Sequence, residues 1–290
     1  MKIALITYLD KGAYDTTTVE SEDDKLLYFL KEKGLTIDLV IWNNPHINWE
    51  DYQVAILKSP WDYFDLIEDF YTWLDLLATK KVKLLNPVNV VRWNSDKRYL
   101  KEIEAAGLKI IPSIFINKQN RVSLKHFFDE FNTDKLIMKP CISGGAKNTF
   151  KVTIDHVEAV NHQLNHLLQE EDFIIQPFLP EILESGEWSF IFFNSTYSHS
   201  LIKRAKPGDF RVQPAHGGSV HPQNPDHDLI AMAQQYVDLF AKNCLYARVD
   251  GTFVNGEFLL MELELIEPFL FLNTAPENYD RYYEALKKLM

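Results

Sequence analysis

The stretch "MELELIEPFLFL", residues 261 to 272, sets three glutamates, Glu262, Glu264 and Glu267, into a run that is otherwise almost wholly apolar. It follows "ARVDGTFV" across a short turn at Asn255-Gly256, a hairpin signal. The two segments read as an antiparallel hairpin. Alternate residues of a strand share a face, so Glu262 and Glu264 point the same way, and the returning hairpin brings Asp250 opposite them. Converging carboxylates repel one another and raise each other's pKa values. The flanking "FLLM" and "PFLFL" indicate a buried strand; the competing arrangement is a row of solvent-facing carboxylates on an edge. A hard divalent cation removes the conflict, since Mg²⁺ takes one or two carboxylates and shares phosphate oxygens. Asp250, Glu262 and Glu264 are the candidate metal ligands. Glu267 falls on the other face of a regular strand, with Pro268 marking a turn, and is expected to cap or to pair with a cation rather than to join the metal set.

The chain of 290 residues carries a net charge of −11, with 30 Lys and Arg against 41 Asp and Glu. That balance argues against a nucleic-acid surface, which needs clustered basic residues. An anionic ligand must then meet individually placed cations. Lys139 closes the apolar strand "KLIMKP", and a buried strand rarely carries a lysine unless it meets an anion. Directly after it, "SGGAKN" (143 to 148) can cradle phosphate with its backbone amides. Neither G-x-x-x-x-G-K-[ST] nor G-x-G-x-x-G occurs, which removes the P-loop and dinucleotide fingerprints. A third cluster, "SHSLIKRAKPGDFRVQPAHGGSV" (198 to 220), holds Lys203, Arg204, Lys206 and Arg211. It reads either as a grip on polyphosphate or a substrate carboxylate, or as a solvated basic loop. His199, His216 and His221 lack metal-ligand spacing, and His216 is a candidate substrate contact. In "FIIQPFLPEILESGEWSF" (173 to 190), Pro177 lacks an N–H, so Gln176 and the backbone of Phe178 and Leu179 present polar groups beside apolar surface, as a purine edge requires. Glu187 can accept from ribose hydroxyls. A plain interdomain connection is the other reading of this segment.

The first third alternates strands (2 to 7, 36 to 42, 53 to 58, 83 to 85) with helices near 22 to 33 and 66 to 79, which predicts a parallel sheet covered on both faces. Its strand-end loops hold Tyr8, Asp10, Asp15 and "SPWDYF" (59 to 64), which is either a substrate site or a packed corner. A helix is predicted from a cap at Asn94 or Ser95 to Gly107. Strands at 109 to 116, 135 to 140 and 149 to 153 and helices at 123 to 131 and 155 to 169 follow. The remainder is strand-rich, with helices at about 226 to 243 and 276 to 289. The fold class is α/β plus α+β. Two distant cysteines, Cys141 and Cys244, fit structural thiols in a reducing compartment. With no signal-like h-region and no run of about 18 apolar residues, a cytoplasmic chain without membrane contact is expected.

Taken in order, these elements resemble the ATP-grasp superfamily of ligases: Lys97 near a helix start, Lys139, the loop 143 to 147, the hinge "QPFL", "GEWS", "LIKRAKPGDFRVQPAHGG" and "D…E-x-E". The stretch from Lys203 to Gly218 is similar to the ribosomal-protein glutamate ligase and glutathione synthetase-like branch, with Lys203 where that motif has arginine. "KSPWDYF", "WNSDKRYL" and "ARVDG…MELELIEPFLFL" are more similar to relatives of the cyclo-ligase of cycloserine biosynthesis. The resemblance implies an ATP-grasp fold with a pre-ATP-grasp α/β domain over 1 to 94, a lid subdomain over 95 to 172 and a C-terminal subdomain over 173 to 290. It implies ATP contacts from Lys97, Lys139, Ser143, Gly144, Gly145, Ala146, Gln176, Phe178, Leu179 and Glu187, and Mg²⁺ on Asp250, Glu262 and Glu264. Lys203, Arg211 and Arg248 would stabilise the transferred phosphate or a substrate acid. Glu264 stands where many members have asparagine, and Lys58 where an arginine is expected before "S-x-WDY". The implied activity is ADP-forming ligation of a small amino-acid-like substrate through an acyl phosphate. A peptide- or protein-modifying ligase and a nucleotide sensor without turnover remain the alternatives, and both a monomer and a homodimer stay open.

Overall fold

A computed structural model describes residues 1–9 and 17–290, apart from the side chains of 17–21 and 215. Asp10 and Asp15 of the first strand-end loop lie outside the described residues.

The described residues build three sheets. The first contains β1 (Lys2–Thr7), β2 (Thr36–Ile41), β3 (Val54–Ser59) and β4 (Lys83–Leu85), parallel throughout, in the order β2-β1-β3-β4. β1 and β3 are buried along nearly their whole length, which explains their continuous apolar sequences. Helix α1 (Thr17–Glu32) packs on β2 and β3, and α2 (Ile67–Thr79) on β4. The helical spacing of Phe70, Trp73, Leu74 and Leu77 gives α2 its buried stripe.

Two short helices lead away, α3 (Val88–Asn94) and α4 (Tyr99–Ala105). Asn94 is the last residue of α3, not the cap of a helix that starts at 95. The β-branched run Val88, Val90, Val91 hides α3 from a propensity reading. Gly107, at φ 87, ends the segment as predicted.

The second sheet is antiparallel, with β5 (Ile114–Ile116), β6 (Lys135–Pro140), β7 (Phe150–Thr153) and β8 (Phe173–Pro177) in the order β5-β8-β6-β7. Helices α5 (Leu124–Phe131) and α6 (Val157–Leu167) pack on it around Phe128, Leu136, Met138, Leu164 and Ile175. Because β6 alternates, Leu136 and Met138 enter this core, while Ile137 and Lys139 point to the opposite face. By pairing, β8 belongs to this sheet rather than to the one that follows it.

After the single turn α7 (Glu181–Glu184), the third sheet contains β9 (Glu187–Phe193), β10 (Thr196–Arg204), β11 (Ser219–Gln223), β12 (Tyr246–Val254) and β13 (Glu257–Glu264). It is antiparallel in the order β11-β10-β9-β12-β13. Helix α8 (His227–Phe240) packs on β9 and β12, and α9 (Glu277–Leu289) on β9, β10 and α1. The β12–β13 turn has φ 52 at Asn255 and 81 at Gly256, as the dipeptide predicts. Strand β13 ends the sheet yet is not a bare edge. Leu263 donates its N–H to the Tyr99 hydroxyl, Leu265 to Asn94 Oδ1 and Leu260 to the Lys109 carbonyl, and Ile111 donates back to the Leu260 carbonyl.

The first and third sheets share one core, in which Ile3 and Leu57 lie with Phe193, Tyr246, Leu270 and Tyr282. Asn86 stitches the two. Its amide donates to the carbonyls of Tyr246 and Leu265, and its Oδ1 accepts from the N–H groups of Leu245 and Tyr246. Among the described residues no helix is long and apolar enough to cross a membrane.

Candidate active site

Where the three sheets meet lies a cavity of about 530 Å³. Its floor is the hairpin β12–β13. The register pairs Asp250 with Glu262 and Arg248 with Glu264, and an irregularity after Asp250 makes Met261 an extra residue on β13. Gly251 is required there, since a Cβ would lie 2.4 Å from the Leu259 carbonyl oxygen. Glu262 and Glu264 therefore share the cavity face with Asp250, while Leu263 and Leu265 enter the core.

The protein's own cations answer much of this acidity. Asp250 accepts from Arg248 Nε at 3.0 Å and from Ser189 Oγ at 2.7 Å, and Lys203 Nζ sits 2.9 Å from its other oxygen. Lys203 also pairs with Glu187 at 2.6 Å, because β9 and β10 place the two directly opposite. Arg248 bridges on to Glu264 and donates to the Phe269 carbonyl. Lys97 pairs with Glu262 at 3.1 Å and donates to the Ser143 carbonyl at 2.8 Å. Lys139 has no ion-pair partner among the described residues and faces the cavity.

These contacts divide the carboxylates by pKa. Burial pushes Asp250 up, but Arg248 and Lys203 overcome it and hold Asp250 far below the usual range. Burial is likewise outweighed at Glu262 by Lys97 and Lys139. At Glu264 burial wins over Arg248, helped by the Asp250 and Glu262 charges, and the carboxyl is pushed up to about 7. Glu187 is also raised by burial despite Lys203. Burial lowers Lys139, with Lys97 adding to the shift and Glu262 opposing it.

The roof is the loop after β6. Gly145 and Ala146 both lie in the left-handed region, at φ 58 and 60, and Lys147 donates back to the Gly144 carbonyl. Gly144 packs so closely on Phe64 that a Cβ would lie 2.5 Å from Cε1 of that ring. Lys147 pairs with Asp65 in the turn after β3, so this loop closes against the "WDYF" corner. From the other side, His216 lines the cavity and meets the backbone of Gly145. Arg211 also lines it, held two-pronged by Asp209.

All of the sequence-predicted site residues border this one cavity: Lys97, Lys139, Ser143, Gly144, Gly145, Ala146, Gln176, Phe178, Leu179, Glu187, Lys203, Arg211, Arg248, Asp250, Glu262 and Glu264. Some details differ from the sequence reading. The Phe178 N–H is not free but donates to the Lys135 carbonyl, and the Gln176 amide donates to Ser113 Oγ. The "WDYF" corner serves both of its readings. Tyr63 and Asp62 pack, the latter accepting from Trp42 Nε1, while Trp61 and Phe64 line the cavity. Lys58 does not line it and is instead buried in ion pairs with Glu22 and Asp23.

Glu267 is the residue the sequence reading set aside. β13 stops at Glu264 and the chain turns, so strand parity does not carry forward, and the Glu267 carboxyl enters the same cavity. It has neither the cap nor the cation expected of it, and none of the described residues pairs with it. Burial, with the Glu264 and Glu262 charges added, pushes it up to about 8.

For a metal, the donor set is hard carboxylate oxygen on one strand face, which suits Mg²⁺. Among the described residues no three His, Cys, Asp or Glu side chains converge as a ready-made metal cluster. Glu262 and Glu264 keep side-chain exposures of 32% and 23% toward the cavity, whereas Asp250 is spent on cations. Two accessible carboxylates fit an ion that completes its shell with phosphate oxygens and water.

Residues 3–86 match the family described as the N-terminal domain of the D-cycloserine synthetase DcsG. The cycloserine biosynthesis protein DcsG of Streptomyces lavendulae is 22% identical over 273 residues, spanning 90% of this chain and 91% of its own. The crystal structure of D-cycloserine synthetase DcsG superposes with a TM-score of 0.85 at 22% identity, all of both chains being covered. D-alanine–D-alanine ligase from Bacillus anthracis, complexed with ATP, gives 0.71 at 13% identity over 100% and 97% of the chains. The ATP-grasp ligase PsnB, complexed with a precursor variant, Mg and ADP, gives 0.68 at 12% identity over 99% and 98%.

Proposed function

We propose, from the premise that this chain has the ATP-grasp fold and is related in sequence to D-cycloserine synthetase, that it is an ADP-forming ligase for a small amino-acid-like substrate. The observation that carries the reading is one cavity in which a carboxylate-bearing hairpin, an unpaired strand-end lysine and a glycine loop face one another.

A substrate carboxylate oxygen attacks the γ-phosphorus of ATP and ADP leaves. An amine then attacks the acyl carbon, loses a proton and expels inorganic phosphate. Phosphoryl transfer asks a protein mainly for positioning and charge stabilisation. Lys139 and Lys97 would meet the phosphates, and the backbone of Ser143 to Ala146 would close over them. Gln176, Phe178 and Leu179 line the end suited to adenine, where the Leu179 N–H is the backbone donor left for a purine edge. Glu187, buried against Lys203, would turn its remaining acceptor capacity to ribose. Lys203, Arg211 and Arg248 would stabilise the transferred phosphate or the substrate acid. Asp250, Glu262 and Glu264 would hold Mg²⁺, the two glutamates offering most of the free oxygen. Once bound, that ion screens the triphosphate charge. No protein nucleophile is needed.

The test is ADP release from ATP and Mg²⁺ on incubation with pools of amino acids. Lys139→Ala and Glu262→Gln should each lower turnover at least about a hundredfold, the scale of losing a charge aimed at the transition state. Undiminished turnover in both variants would refute the assignment. ATP-dependent thermal stabilisation without any ADP release would favour the sensor reading.

A further inference from the structure

Among the described residues five carboxylates border the cavity, and four of them are matched by the protein itself: Glu187 and Asp250 by Lys203, Asp250 and Glu264 by Arg248, and Glu262 by Lys97. Glu267 is the exception among the described residues. The cations around it are already engaged, since Lys97 is held by Glu262 and the Ser143 carbonyl, and Arg248 by Asp250 and Glu264. Its backbone is pinned, with Trp61 Nε1 donating to its carbonyl at 3.4 Å and Pro268 following. The carboxylate therefore enters the cavity from a fixed position with none of the described residues paired to it. A partly buried acid in that state is costly unless a ligand supplies the missing charge.

Its location narrows what that ligand can be. The Cβ that Gly144 lacks would lie 3.3 Å from Glu267 Oε1, so the carboxylate sits against the loop proposed to cover the triphosphate. Trp61, whose indole N–H holds the Glu267 carbonyl, lines the cavity beside it. Among the described residues, the cavity thus holds one unmatched cation, Lys139, and one unmatched carboxylate, Glu267.

Resting on the ligase reading above, we propose that Glu267 anchors the ammonium group of the substrate, so that the compound activated here is an amino acid or an analogue with a free amine. A phosphate or carboxylate end belongs with Lys139 and its neighbours, and the ammonium end with Glu267. Glu267 acts as a specificity residue that touches substrate and takes no part in phosphoryl transfer.

The experiment measures ADP release by the full chain with ATP and Mg²⁺ against a panel of L- and D-amino acids, each beside its N-acetylated form. Activity confined to the free amines is expected. Glu267→Gln, which keeps the shape and removes the charge, should raise KM for the active amino acid about ten- to hundredfold, the worth of a charge-assisted hydrogen bond. KM for ATP should change less than about twofold, and Glu267→Asp should recover part of the loss. The proposal is overturned if N-acetylated compounds work as well as their parents, or if Glu267→Gln leaves the amino-acid KM unchanged. A change in the Mg²⁺ requirement instead of that KM also overturns it. Stabilisation of the fold by ATP and Mg²⁺ with no ADP release from any free amine does the same. Loss of both nucleotide stabilisation and ADP release would instead defeat the ligase reading itself, and this proposal with it.

Discussion

Replacing Lys203 by methionine removes the cation shared by Glu187 at 2.6 Å and Asp250 at 2.9 Å. Asp250 keeps Arg248, so the consequence falls on Glu187, which is 7% accessible and has no other ion-pair partner among the described residues. Breaking one side of a buried pair costs about 3 to 5 kcal/mol. The variant has a way out, because Glu187 can take up a proton. With an unfolded pKa of about 4.3 and about 1.4 kcal/mol per pH unit, that escape costs ~4 kcal/mol at pH 7 and ~1 kcal/mol at pH 5. The sign follows from linkage. A carboxyl whose folded pKa is raised binds more protons folded than unfolded, so stability is retained below the unfolded pKa and lost as pH rises toward the folded one. Because burial already raises Glu187 in the parent, Lys203→Met should lose at most about 1 kcal/mol relative to it at pH 5 and at most about 4 at pH 7. Urea unfolding at both pH values in EDTA, without nucleotide, measures it. Adding Glu187→Gln should flatten the pH dependence. A cost that is the same at pH 5 and 7, or one that Glu187→Gln fails to relieve, would show that the burial and pairing described for this cluster do not govern it.

Two further substitutions probe the frame. Gly144→Ala places a Cβ 2.5 Å from Phe64 Cε1, so the loop must lift; KM for ATP should rise about tenfold, and Phe64→Leu should restore it. An unchanged KM in Gly144→Ala would refute the close approach. Asn86→Ala removes four buried hydrogen bonds at a residue with φ 44, and should lower the unfolding free energy by about 3 to 5 kcal/mol; a loss under about 1 kcal/mol would mean the junction is not held there.

Much of this was legible because the decisive elements are local. The Asn-Gly turn and the alternation of β13 fix which residues face Asp250, and the apolar strand ending in Lys139 carries its own anomaly. What stayed hidden is what tertiary contact decides. The extra residue at Met261 leaves no local signal, since the hairpin pattern reads smoothly through it. Asn94 has the residue type of a helix cap, yet its amide is used 169 positions away to hold the Leu263 carbonyl, a partner no local reading supplies. The Phe178 N–H follows from Pro177 only until its neighbour strand is known. Glu267 was misplaced because parity was extended past the end of a strand, where the backbone turn alone decides direction. Likewise, the metal reading treated the carboxylates as an isolated set, whereas sheet pairing brings Lys203 and Arg248 to the same place.

Helix α9 has a consequence for the order in which the molecule can be made. Phe29 of α1 meets Tyr279 at 5.3 Å between ring centroids, Lys33 pairs with Asp280, and Tyr282 lies in the core shared with β1 and β3. During synthesis α1 thus leaves the ribosome without the helix it packs against, which is translated some 190 residues after β4. Until then the apolar side chains of α1 that meet α9 lack that cover, the condition under which chains pass through chaperones or aggregate. Closure is topological as much as energetic, since a helix made long after the first sheet ties it to the strands that carry the site.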